Sequence, residues 1–232
     1  MEIHSGAVLY TCNLPLRNVP LRKLFHRYLP YPLYVENDAN CAALAEYYAG
    51  AGKGSKRFVT ITLGTGVGAG ILHNGQIYHG ANGMAGEVGH MSIVYHGEPC
   101  PCGRRGCWER YAATTALVRA AQERDPAWKD GRAIFAAAEA GNETVLALLD
   151  AWTDEIAQGL AGMVHIFNPQ LILIGGGVSA QQKLLIEPIA TKVRASVMPA
   201  FAEGLEIRAA QLHNDAGMVG AVYYFRQQHG EA

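Results

Sequence analysis

The chain has 232 residues, of which 50% are hydrophobic and 17% are charged, and its formal net charge is −1. This balance offers no general electrostatic attraction to nucleic acid or to an anionic membrane, and no basic run of five residues occurs. No apolar run approaches the roughly 18 to 20 residues of a membrane-spanning helix, and residues 1–4 lack the pattern of a secretory signal. The composition therefore predicts a globular protein of the cytoplasm, with material for one large or two small domains.

The N-terminal part of the chain alternates between strand-like and helix-like patterns. Residues 7–12 are a short strand candidate, and residues 16–28 carry apolar side chains at helical spacing. Residues 33–35 are a second strand candidate. An Ala-rich helix is then expected over residues 39–49.

The junction between that second strand and the Ala-rich helix carries three polar residues, Glu36, Asn37 and Asp38. Either Asn37 or Asp38 can cap the helix, because short polar side chains accept hydrogen bonds from the first free N–H groups. A carboxylate between a strand end and a helix start is also where open α/β sheets bind ligands. Both interpretations hold for Asp38 at this point.

A glycine-rich corner follows the most strand-like run of the chain. The β-branched residues 58–63 predict a central strand, which leads into G-T-G-V-G-A-G at residues 64–70. Asn74-Gly75, between two apolar runs, predicts a tight hairpin turn. Glycine N–H groups can surround a phosphate, although the same corner can be only a twisted turn. Neither a Walker A motif nor a Rossmann fingerprint is present, because no Gly-Lys-Ser/Thr and no helix follow.

Three of the five cysteines, Cys100, Cys102 and Cys107, lie within the stretch 84–110. Glycines and a proline between them permit turns that bring three sulfurs to one point. A disulfide with one thiol left over is the alternative, but an odd thiol count without a secretory signal favours a metal. The stretch therefore predicts a zinc site.

A structural zinc site takes four Cys or His ligands, so a fourth ligand is needed. His90 is the nearest strong candidate, and His96 is its competitor. Glu87 lies three residues before His90 and Glu109 lies two after Cys107, so both carboxylates are carried toward the same region. Carboxylates beside an imidazole that a metal holds in one tautomer suit the recognition of sugar hydroxyls.

The second half of the chain alternates helices with buried strands. The expected elements are helices over residues 114–124, 131–140 and 142–165, a buried strand at 171–174, a helix over 181–195, a strand at 205–210 and a last helix from Asp215. The triple glycine 175–177 exposes backbone where the buried strand ends. The triple glycine is equally consistent with a tight turn and with a contact to a ligand.

Several of these segments resemble one family. The resemblance is carried by E-N-D-A-N-C-A-A-L-A-E at 36–46, L-G-T-G-V-G at 63–68, E-V-G-H at 87–90, C-P-C-G-R-R-G-C-W-E at 100–109 and L-I-L-I-G-G-G-V at 171–178. These segments are similar to signatures of the ROK family of repressors, open reading frames and sugar kinases. The resemblance extends from about Gly6 to the C-terminus. It implies an α/β fold of the actin-like ATPase (ribonuclease H-like) type, with an inserted zinc-binding loop at residues 84–110.

The resemblance also implies roles for individual residues. Asp38 is implied to be the general base that takes the proton from a sugar hydroxyl as the hydroxyl attacks ATP. The implied contacts to the hydroxyls of a hexose or N-acetylhexosamine come from Asn37, Glu87, His90 and Glu109. The implied ligands of a structural zinc are His90, Cys100, Cys102 and Cys107. The implied contacts to magnesium-bound ATP come from Gly64, Thr65, Gly66, Gly68, Gly176 and Gly177.

One expected motif does not occur in the sequence. Kinases of this type carry Asp-x-Gly-Gly-Thr as a first phosphate loop, whose aspartate positions the magnesium of ATP. We therefore expect an N-terminally incomplete fold, in which residues 1–36 are a remnant of the N-terminal lobe and residues 37–232 form the C-terminal lobe with the sugar pocket, the zinc loop and the nucleotide loops. Whether these residues alone turn over ATP becomes a question for experiment.

The leading functional hypothesis is ATP-dependent phosphorylation of a hexose or N-acetylhexosamine by a glucokinase-like enzyme. The alternative is a sugar-sensing effector domain of a ROK transcriptional repressor, whose DNA-binding element would lie outside these residues. A third interpretation is a zinc-stabilised fragment that assembles with a partner chain. We expect a homodimer with no contact to membrane, and no contact to nucleic acid through this chain.

Overall fold

The computed structural model describes residues 5–10 and 15–230. The strands of these ranges are β1 (Val8–Tyr10), β2 (Arg17–Val19), β3 (Arg57–Leu63), β4 (Val67–His73), β5 (Gln76–Ile77), β6 (Leu171–Gly175) and β7 (Glu206–Ala209). The α-helices are α1 (Leu21–Phe25), α2 (Asp38–Ala49), α3 (Glu109–Ala112), α4 (Thr114–Gln122), α5 (Gly131–Glu139), α6 (Glu143–Phe167), α7 (Glu187–Ser196), α8 (Pro199–Ala202) and α9 (Ala216–His229). Short 3₁₀ turns occur at Val88–His90 and His213–Asp215, and one π-helical turn at Gln182–Ile186.

Five strands form one mixed sheet in the order β5-β4-β3-β6-β7. β3 is the central strand, antiparallel to β4 and parallel to β6, and β7 is parallel to β6. The hairpin between β4 and β5 turns at Asn74-Gly75, where both residues have positive φ angles of 52° and 75°. Both the predicted central strand and the predicted hairpin are therefore confirmed. β1 and β2 form a separate antiparallel pair.

Helices cover both faces of the sheet, and the alternation of side chains along β3 shows how. Val59 and Ile61 point into a core shared with α4, α5, α6 and α7. Phe58 points to the opposite face, where it packs with Leu44 of α2 and Tyr224 of α9. Because successive strand residues face opposite sides, one apolar strand supplies two cores. The result is a three-layer α/β structure.

Helix α2 lies unusually close to the sheet and to α9. A Cβ atom at Gly70 of β4 would lie 2.5 Å from the Ala39 carbonyl oxygen and from the Ala43 Cβ. On the other side, a Cβ at Gly220 of α9 would lie 1.7 Å from the Cys41 carbonyl oxygen. These separations exclude any side chain at either glycine. Close packing on two sides fixes where the first turn of α2 lies relative to β4.

Two tryptophans join the cysteine-rich stretch to the long helix α6. Trp108 is fully buried and donates its indole N–H to the Glu155 carbonyl oxygen at 2.8 Å. A Cβ at Gly159, one turn later in α6, would lie 2.1 Å from that indole ring, so the glycine makes room for it. Trp152 of α6 donates in return to the Ala112 carbonyl oxygen at 3.1 Å. The end of the cysteine-rich stretch is thereby anchored in the main core.

The prediction of one helix over residues 16–28 was wrong. Arg17–Val19 instead forms β2 and pairs with β1, and the helix begins only at Leu21. Pro20 explains the difference, because proline disfavours helical conformation in the residue before it. Thr11 and Cys12 of the predicted strand at 7–12, and the following residues 13 and 14, lie outside the described residues.

The strand predicted at residues 33–35 is also wrong. This segment belongs to neither of the two sheets, and the Leu33 carbonyl oxygen accepts a hydrogen bond from the Arg22 side chain at 3.1 Å. Its apolar composition reflects burial of Val35 against the core. The division of the chain between residues 36 and 37 stays a prediction.

The helices predicted from Ala-rich and capped segments are confirmed by α2, α4, α5 and α6 within a few residues of the expected bounds. α6 begins after Asn142, whose side chain accepts from the Val145 N–H, as its sequence pattern indicates. None of the helices in the described ranges combines the length and the apolar character needed to cross a membrane.

Candidate functional site

A cleft opens between the first turn of α2 and the loop that follows β5. Its lining residues are Glu36, Asn37, Asp38, Gly68, Ala69, Gly83, Met84, Ala85, Gly86 and Glu87. The three residues Asn37, Asp38 and Glu87, all predicted to act on the sugar, therefore meet in one place. They come from two separate walls, one built on α2 and the other on the loop.

Asn37, and not Asp38, is the N-cap of α2. The Asn37 side-chain oxygen accepts from the N–H groups of Ala39 at 2.8 Å and Asn40 at 3.3 Å. Asp38 is the first helical residue, is exposed, and accepts one hydrogen bond from the Ala39 N–H at 2.9 Å. The helix therefore does not depend on Asp38 for its cap. An exposed carboxylate at the positive end of a helix remains available to a ligand.

Glu36 is a buried carboxylate directly behind this cap, and the sequence analysis assigned it no role. Its side chain is 2% exposed, and Oε1 accepts from the Asn37 N–H and the Asn40 side chain, each at 2.8 Å. His79 Nε2 lies 2.6 Å from Oε2. Burial alone would raise the pKa of Glu36, but the hydrogen bonds from His79, Asn40 and Asn37 outweigh it and hold the pKa below its ordinary value of 4.5.

The loop wall of the cleft lies directly on β4. A Cβ at Gly86, which has a positive φ of 94°, would lie 2.7 Å from the Ala69 carbonyl oxygen. A Cβ at Gly89 would lie 2.2 Å from the Val67 carbonyl oxygen. Glu87 stands between these two contacts and is exposed to the cleft. Its backbone position is therefore set by the strand beneath it.

The ligand atoms of His90, Cys100, Cys102 and Cys107 all lie within 4.8 Å of one another. Cys100 Sγ is 3.7 Å from His90 Nδ1, and Cys102 Sγ is 3.6 Å from Cys107 Sγ. A tetrahedral zinc site with bonds of about 2.3 Å has edges of about 3.8 Å, which these separations match. The sulfurs are too far apart for a disulfide, whose length is about 2.05 Å.

His96, the competing candidate for the fourth ligand, lies outside this group of four. It is exposed, has a positive φ of 55°, and its ring lies 3.9 Å from that of Tyr95. The fourth position in the group belongs to His90.

Burial raises the pKa of the Cys100 and Cys107 thiols above the ordinary value of 9.0. Burial opposes ionisation of the half-buried Cys102 as well, but hydrogen bonds from the Arg104 backbone, Cys100 and Cys107 hold its pKa below 9.0. Buried thiols without a compensating cation favour the neutral form. A divalent cation reverses this preference, because it binds the thiolate and releases the proton. The residues present thus fit zinc in number, type and spacing.

Glu109 reaches from the cysteine group to the glycine-rich turn. Its Oε1 lies 3.1 Å from Cys100 Sγ and 3.5 Å from His90 Nδ1. A Cβ at Gly66 would lie 2.7 Å from Oε2 of the same carboxylate. Neither His90 nor Glu109 is among the residues that line the Asp38 cleft. The structure therefore places the four predicted sugar contacts in two neighbouring groups and not in one.

A second depression of about 430 Å³ lies beside the turn between β3 and β4. Its lining residues are Leu63, Gly64, Thr65, Thr114, Thr115, Val118, Arg119, Gln122, Lys129, Asp130, Gly131 and Gly177. Its volume lies within the range of roughly 300 to 1,000 Å³ that is typical of small-molecule sites. We call this depression the groove. The β3–β4 hairpin thus contributes to both the cleft and the groove.

Hydroxyl groups tie the glycine-rich turn to the start of α4. Thr115 Oγ1 donates to the Thr65 carbonyl oxygen at 2.8 Å, and Thr114 Oγ1 donates to the Leu63 carbonyl oxygen at 3.2 Å. These bonds occupy two carbonyl oxygens of the turn, and the Gly64 N–H donates within the turn to the Gly66 carbonyl oxygen at 3.0 Å. A turn held in this way can present N–H groups to an anion.

The predicted nucleotide contacts do not all lie in the groove. Gly64, Thr65 and Gly177 line it. Gly66 faces Glu109, and Gly68 lines the cleft beneath α2 instead. The remaining residue, Gly176, has a φ of 99° and packs against the end of β3, where a Cβ would lie 2.1 Å from the Leu63 carbonyl oxygen.

Several groove residues escaped the sequence analysis. Thr114, Thr115, Arg119 and Lys129 belong to a helix and a connecting segment with no recognisable motif. Only the packing of α4 and α5 beside the β3–β4 turn brings these residues to the groove. Glu36 could have been recognised from the sequence, because it is the first residue of the E-N-D segment. Nothing in the sequence indicated that His79 would be its partner.

Comparisons with known proteins agree with these features. The model of the ROK family matches residues 2–228. The glucokinase of Halalkalibacterium halodurans is 38% identical, over 98% of this chain and 74% of that protein. The xylose repressor of Caldicellulosiruptor bescii is 31% identical, over 96% of this chain and 59% of that protein.

Among solved structures, the ROK family glucokinase from Streptomyces griseus in complex with glucose and AMPPNP superimposes with a TM-score of 0.87. It is 35% identical, and the match covers 96% of this chain and 77% of that one. Structures of this family have the mixed α/β actin-like ATPase fold, to which the three-layer arrangement corresponds. The chain belongs to the ROK family.

Proposed function

We propose that this chain carries the substrate-binding and catalytic groups of a glucokinase-like sugar kinase, which transfers a phosphoryl group from ATP to a hexose or N-acetylhexosamine. The similarity to glucokinases, one of them bound to glucose and AMPPNP, supports this assignment. The observation that carries it is geometric. An exposed carboxylate, Asp38, borders a polar cleft on one side of the β3–β4 turn, and a nucleotide-sized groove lies beside the same turn.

In the proposed reaction Asp38 accepts the proton of the attacking sugar hydroxyl. Since Asn37 caps α2, the Asp38 carboxylate is not committed to the helix and can serve as proton acceptor. Asn37 and Glu87 line the same cleft and would hold neighbouring hydroxyls. Phosphoryl transfer depends mainly on such positioning and on electrostatic stabilisation, and less on covalent chemistry by the protein.

The nucleotide is proposed to occupy the groove. Thr65 would present its backbone N–H and its hydroxyl to the phosphates, since the Gly64 N–H already donates to the Gly66 carbonyl oxygen at 3.0 Å, and Gly177 would approach the nucleoside part. Lys129 adds a positive charge to the lining, whereas Arg119 is paired with Glu98 at 3.4 Å and Asp130 lines the same groove. A magnesium ion arriving with ATP supplies neutralisation of the phosphate charge.

We propose that His90, Cys100, Cys102 and Cys107 hold a structural zinc ion. Four protein ligands close the coordination sphere, so no position is left for a reacting water. The ion would fix the stretch that carries Glu87 and Glu109, because both carboxylates lie within a few residues of a ligand. His90 would bind the ion through Nδ1, which faces Cys100 Sγ at 3.7 Å, and would join the metal site to the sugar site through its other ring nitrogen.

Activity measurements test the kinase proposal directly. Glucose, N-acetylglucosamine and N-acetylmannosamine are incubated with magnesium-ATP, and ADP release is followed. Two proteins are compared, the 232-residue chain and the same chain preceded by a segment with the Asp-x-Gly-Gly-Thr motif. Sugar binding to both is measured independently by calorimetry. Phosphorylation of one sugar by the extended protein is expected, and its absence would remove the kinase proposal.

The second candidate function is a sugar-sensing effector domain, and the similarity to a xylose repressor favours it. A sensor needs the cleft but not the transfer of a phosphoryl group. Calorimetry separates the two candidates: sugar binding without ADP release in either protein would indicate a sensor. Binding with ADP release would indicate the enzyme.

The homodimer and the lack of contact to nucleic acid stay predictions. Sedimentation analysis of the zinc-loaded chain tests the first, and a gel-shift assay at physiological salt tests the second.

A further inference from the structure

Glu36 is linked to three separate elements at once. Its Oε1 binds the start of α2 through the Asn37 N–H and the Asn40 side chain, and its Oε2 binds His79. Tyr224 of α9 also lies beside this carboxylate: burial and the Glu36 charge together raise the pKa of Tyr224 to about 12. A side chain that is 2% exposed cannot replace any of these partners by bulk water. The carboxylate therefore has one available arrangement.

His79 stands at the base of the loop that forms the opposite wall of the cleft. The preceding residue, Tyr78, donates its N–H to Ile71 of β4 at 2.8 Å, and the His79 carbonyl oxygen accepts from the Ala85 N–H at 3.0 Å. The loop is thus closed on itself between residues 79 and 85, immediately before Glu87. A displacement of His79 would move the whole loop wall.

We propose that Glu36 and His79 are positioning residues that hold the two walls of the sugar cleft at a fixed separation. This role rests on the proposed function, because it assigns the cleft to the sugar. Neither side chain needs to touch the substrate. Glu36 sets the orientation of Asn37 and Asp38 from behind, and its bond to His79 transmits that position to the loop that carries Glu87.

The strength of the link follows from its chemistry. A carboxylate in contact with an imidazole at 2.6 Å forms a charge-assisted hydrogen bond, which is stronger than a neutral one. Removing the imidazole leaves a buried carboxylate oxygen short of a partner, so the loop must shift to supply another. Misplacement of binding groups by about 1 Å can cost a hundredfold in rate.

Two His79 variants and one control variant test the role, each made both in the 232-residue chain and in the extended chain. His79→Ala is expected to weaken sugar binding by about tenfold to a hundredfold, the loss that a charge-assisted hydrogen bond carries. His79→Gln keeps a donor at similar reach and should recover most of the affinity. The KM for the sugar should rise in His79→Ala, while the KM for ATP stays unchanged, because the groove lies beyond the β3–β4 turn.

Glu46 offers a matched control on the same helix. It is fully buried near the other end of α2 and accepts from the N–H groups of Ala51, Gln211 and Leu212, each at 2.8 Å. Glu46→Gln should lower the free energy of unfolding and leave sugar affinity unchanged. A purely structural role of His79 would give the same result as this control.

Sugar binding is measured by calorimetry and stability by urea unfolding, for all variants under one set of conditions. A tenfold or larger loss in His79→Ala, recovery in His79→Gln and no loss in Glu46→Gln would support the positioning role. Two results would reject only this role: equal sugar affinity of wild type and His79→Ala, or an equal loss of sugar affinity in His79→Ala and Glu46→Gln. Absence of sugar binding by the wild-type proteins would reject the proposed function itself.

Discussion

The start of α2 and the cysteine-rich stretch 84–110 both border the candidate site, but they are held in place by different means. At α2, the cap by Asn37, the buried Glu36 and the glycines beneath the helix suffice without any bound group. The cysteine-rich stretch has little regular structure: its backbone pairing includes two isolated bridges, Ser92 to Cys107 and Pro99 to Arg105. Its sulfurs converge on one point, and its end is anchored by Trp108.

The two segments differ in how they satisfy their backbone hydrogen-bonding groups. A helix satisfies its own backbone groups, so a few side-chain hydrogen bonds are enough to place its first turn. A stretch rich in glycine and proline satisfies fewer of these groups by itself, and we propose that a zinc ion supplies the remaining order around the cysteines. One wall should therefore survive loss of the metal, whereas the other should not.

Metal removal is expected to have the largest effect. Chelation, or the substitution Cys102→Ser, should disorder residues 84–107 and abolish measurable sugar affinity, while α2 keeps its amide protection. Structural zinc contributes on the order of 10 kcal/mol in small peptides, far more than the hydrogen bonds within this stretch. Hydrogen exchange and calorimetry on the same samples test it. Unchanged exchange across the cysteines after complete metal loss would contradict the prediction.

The two histidines provide the matched control for that experiment. His90→Gln should lower both zinc content and sugar affinity, because His90 belongs to the ligand group and lies beside Glu109. His96→Gln should change neither, since His96 is exposed and outside the group. Elemental analysis with sugar titration separates the two variants. One zinc per chain and normal affinity in His90→Gln would show that the metal and the sugar site are not coupled.

Asp38→Asn is expected to lower kcat of the extended protein by about 10² to 10⁴-fold, the usual contribution of a general base. Sugar binding should be weakened but detectable, because the shape of the cleft is kept. Asn37→Ala is the comparison at the neighbouring position and should cost about 1 kcal/mol of stability through loss of the cap. Turnover by Asp38→Asn near the wild-type rate would remove the base assignment.

Trp108→Phe addresses the second anchor of the cysteine-rich stretch. The substitution removes the hydrogen bond to the Glu155 carbonyl oxygen and part of a fully buried ring. A loss of about 2 kcal/mol in the free energy of unfolding is expected from these two effects together. Trp128, which is only half-buried, is the control, and Trp128→Phe should cost much less. Equal losses in urea unfolding would contradict the anchoring role.

The smallest expected effect concerns pH and the wall on α2. The folded state lowers the pKa of Glu36, so its hydrogen bonds stabilise the protein above the ordinary value of 4.5 and are lost as the pH falls through the lowered pKa. The stability difference between wild type and Glu36→Gln should therefore shrink below about pH 4.5. Urea unfolding between pH 3 and pH 7 measures it. A stability difference that does not change with pH would show that the charge of Glu36 does not stabilise the folded protein.

The elements that were predicted correctly are those whose signals are local. The β-branched run at residues 58–63, the Asn74-Gly75 turn and the Ala-rich α2 each carry their own conformational preference. The clustering of three cysteines with His90 was also accessible, because metal ligands must share a small volume and few spacings permit it. Where local signals conflicted, as around Pro20, the apolar spacing was misleading.

What the tertiary structure alone decided is the arrangement of residues that are distant along the chain. Glu36 and His79 meet because α2 and the loop after β5 pack on the same strand, β4, and no pattern within either segment implies the other. The glycines that looked like one phosphate loop are divided between the cleft, Glu109 and the groove, because neighbouring residues at a turn point in different directions. The sequence by itself indicated the central strand, the hairpin, the Ala-rich helices and the cluster of three cysteines, since these follow from local preference and ligand chemistry. Packing decided which side chains share a site, because contact depends on how the layers are stacked and not on separation along the chain.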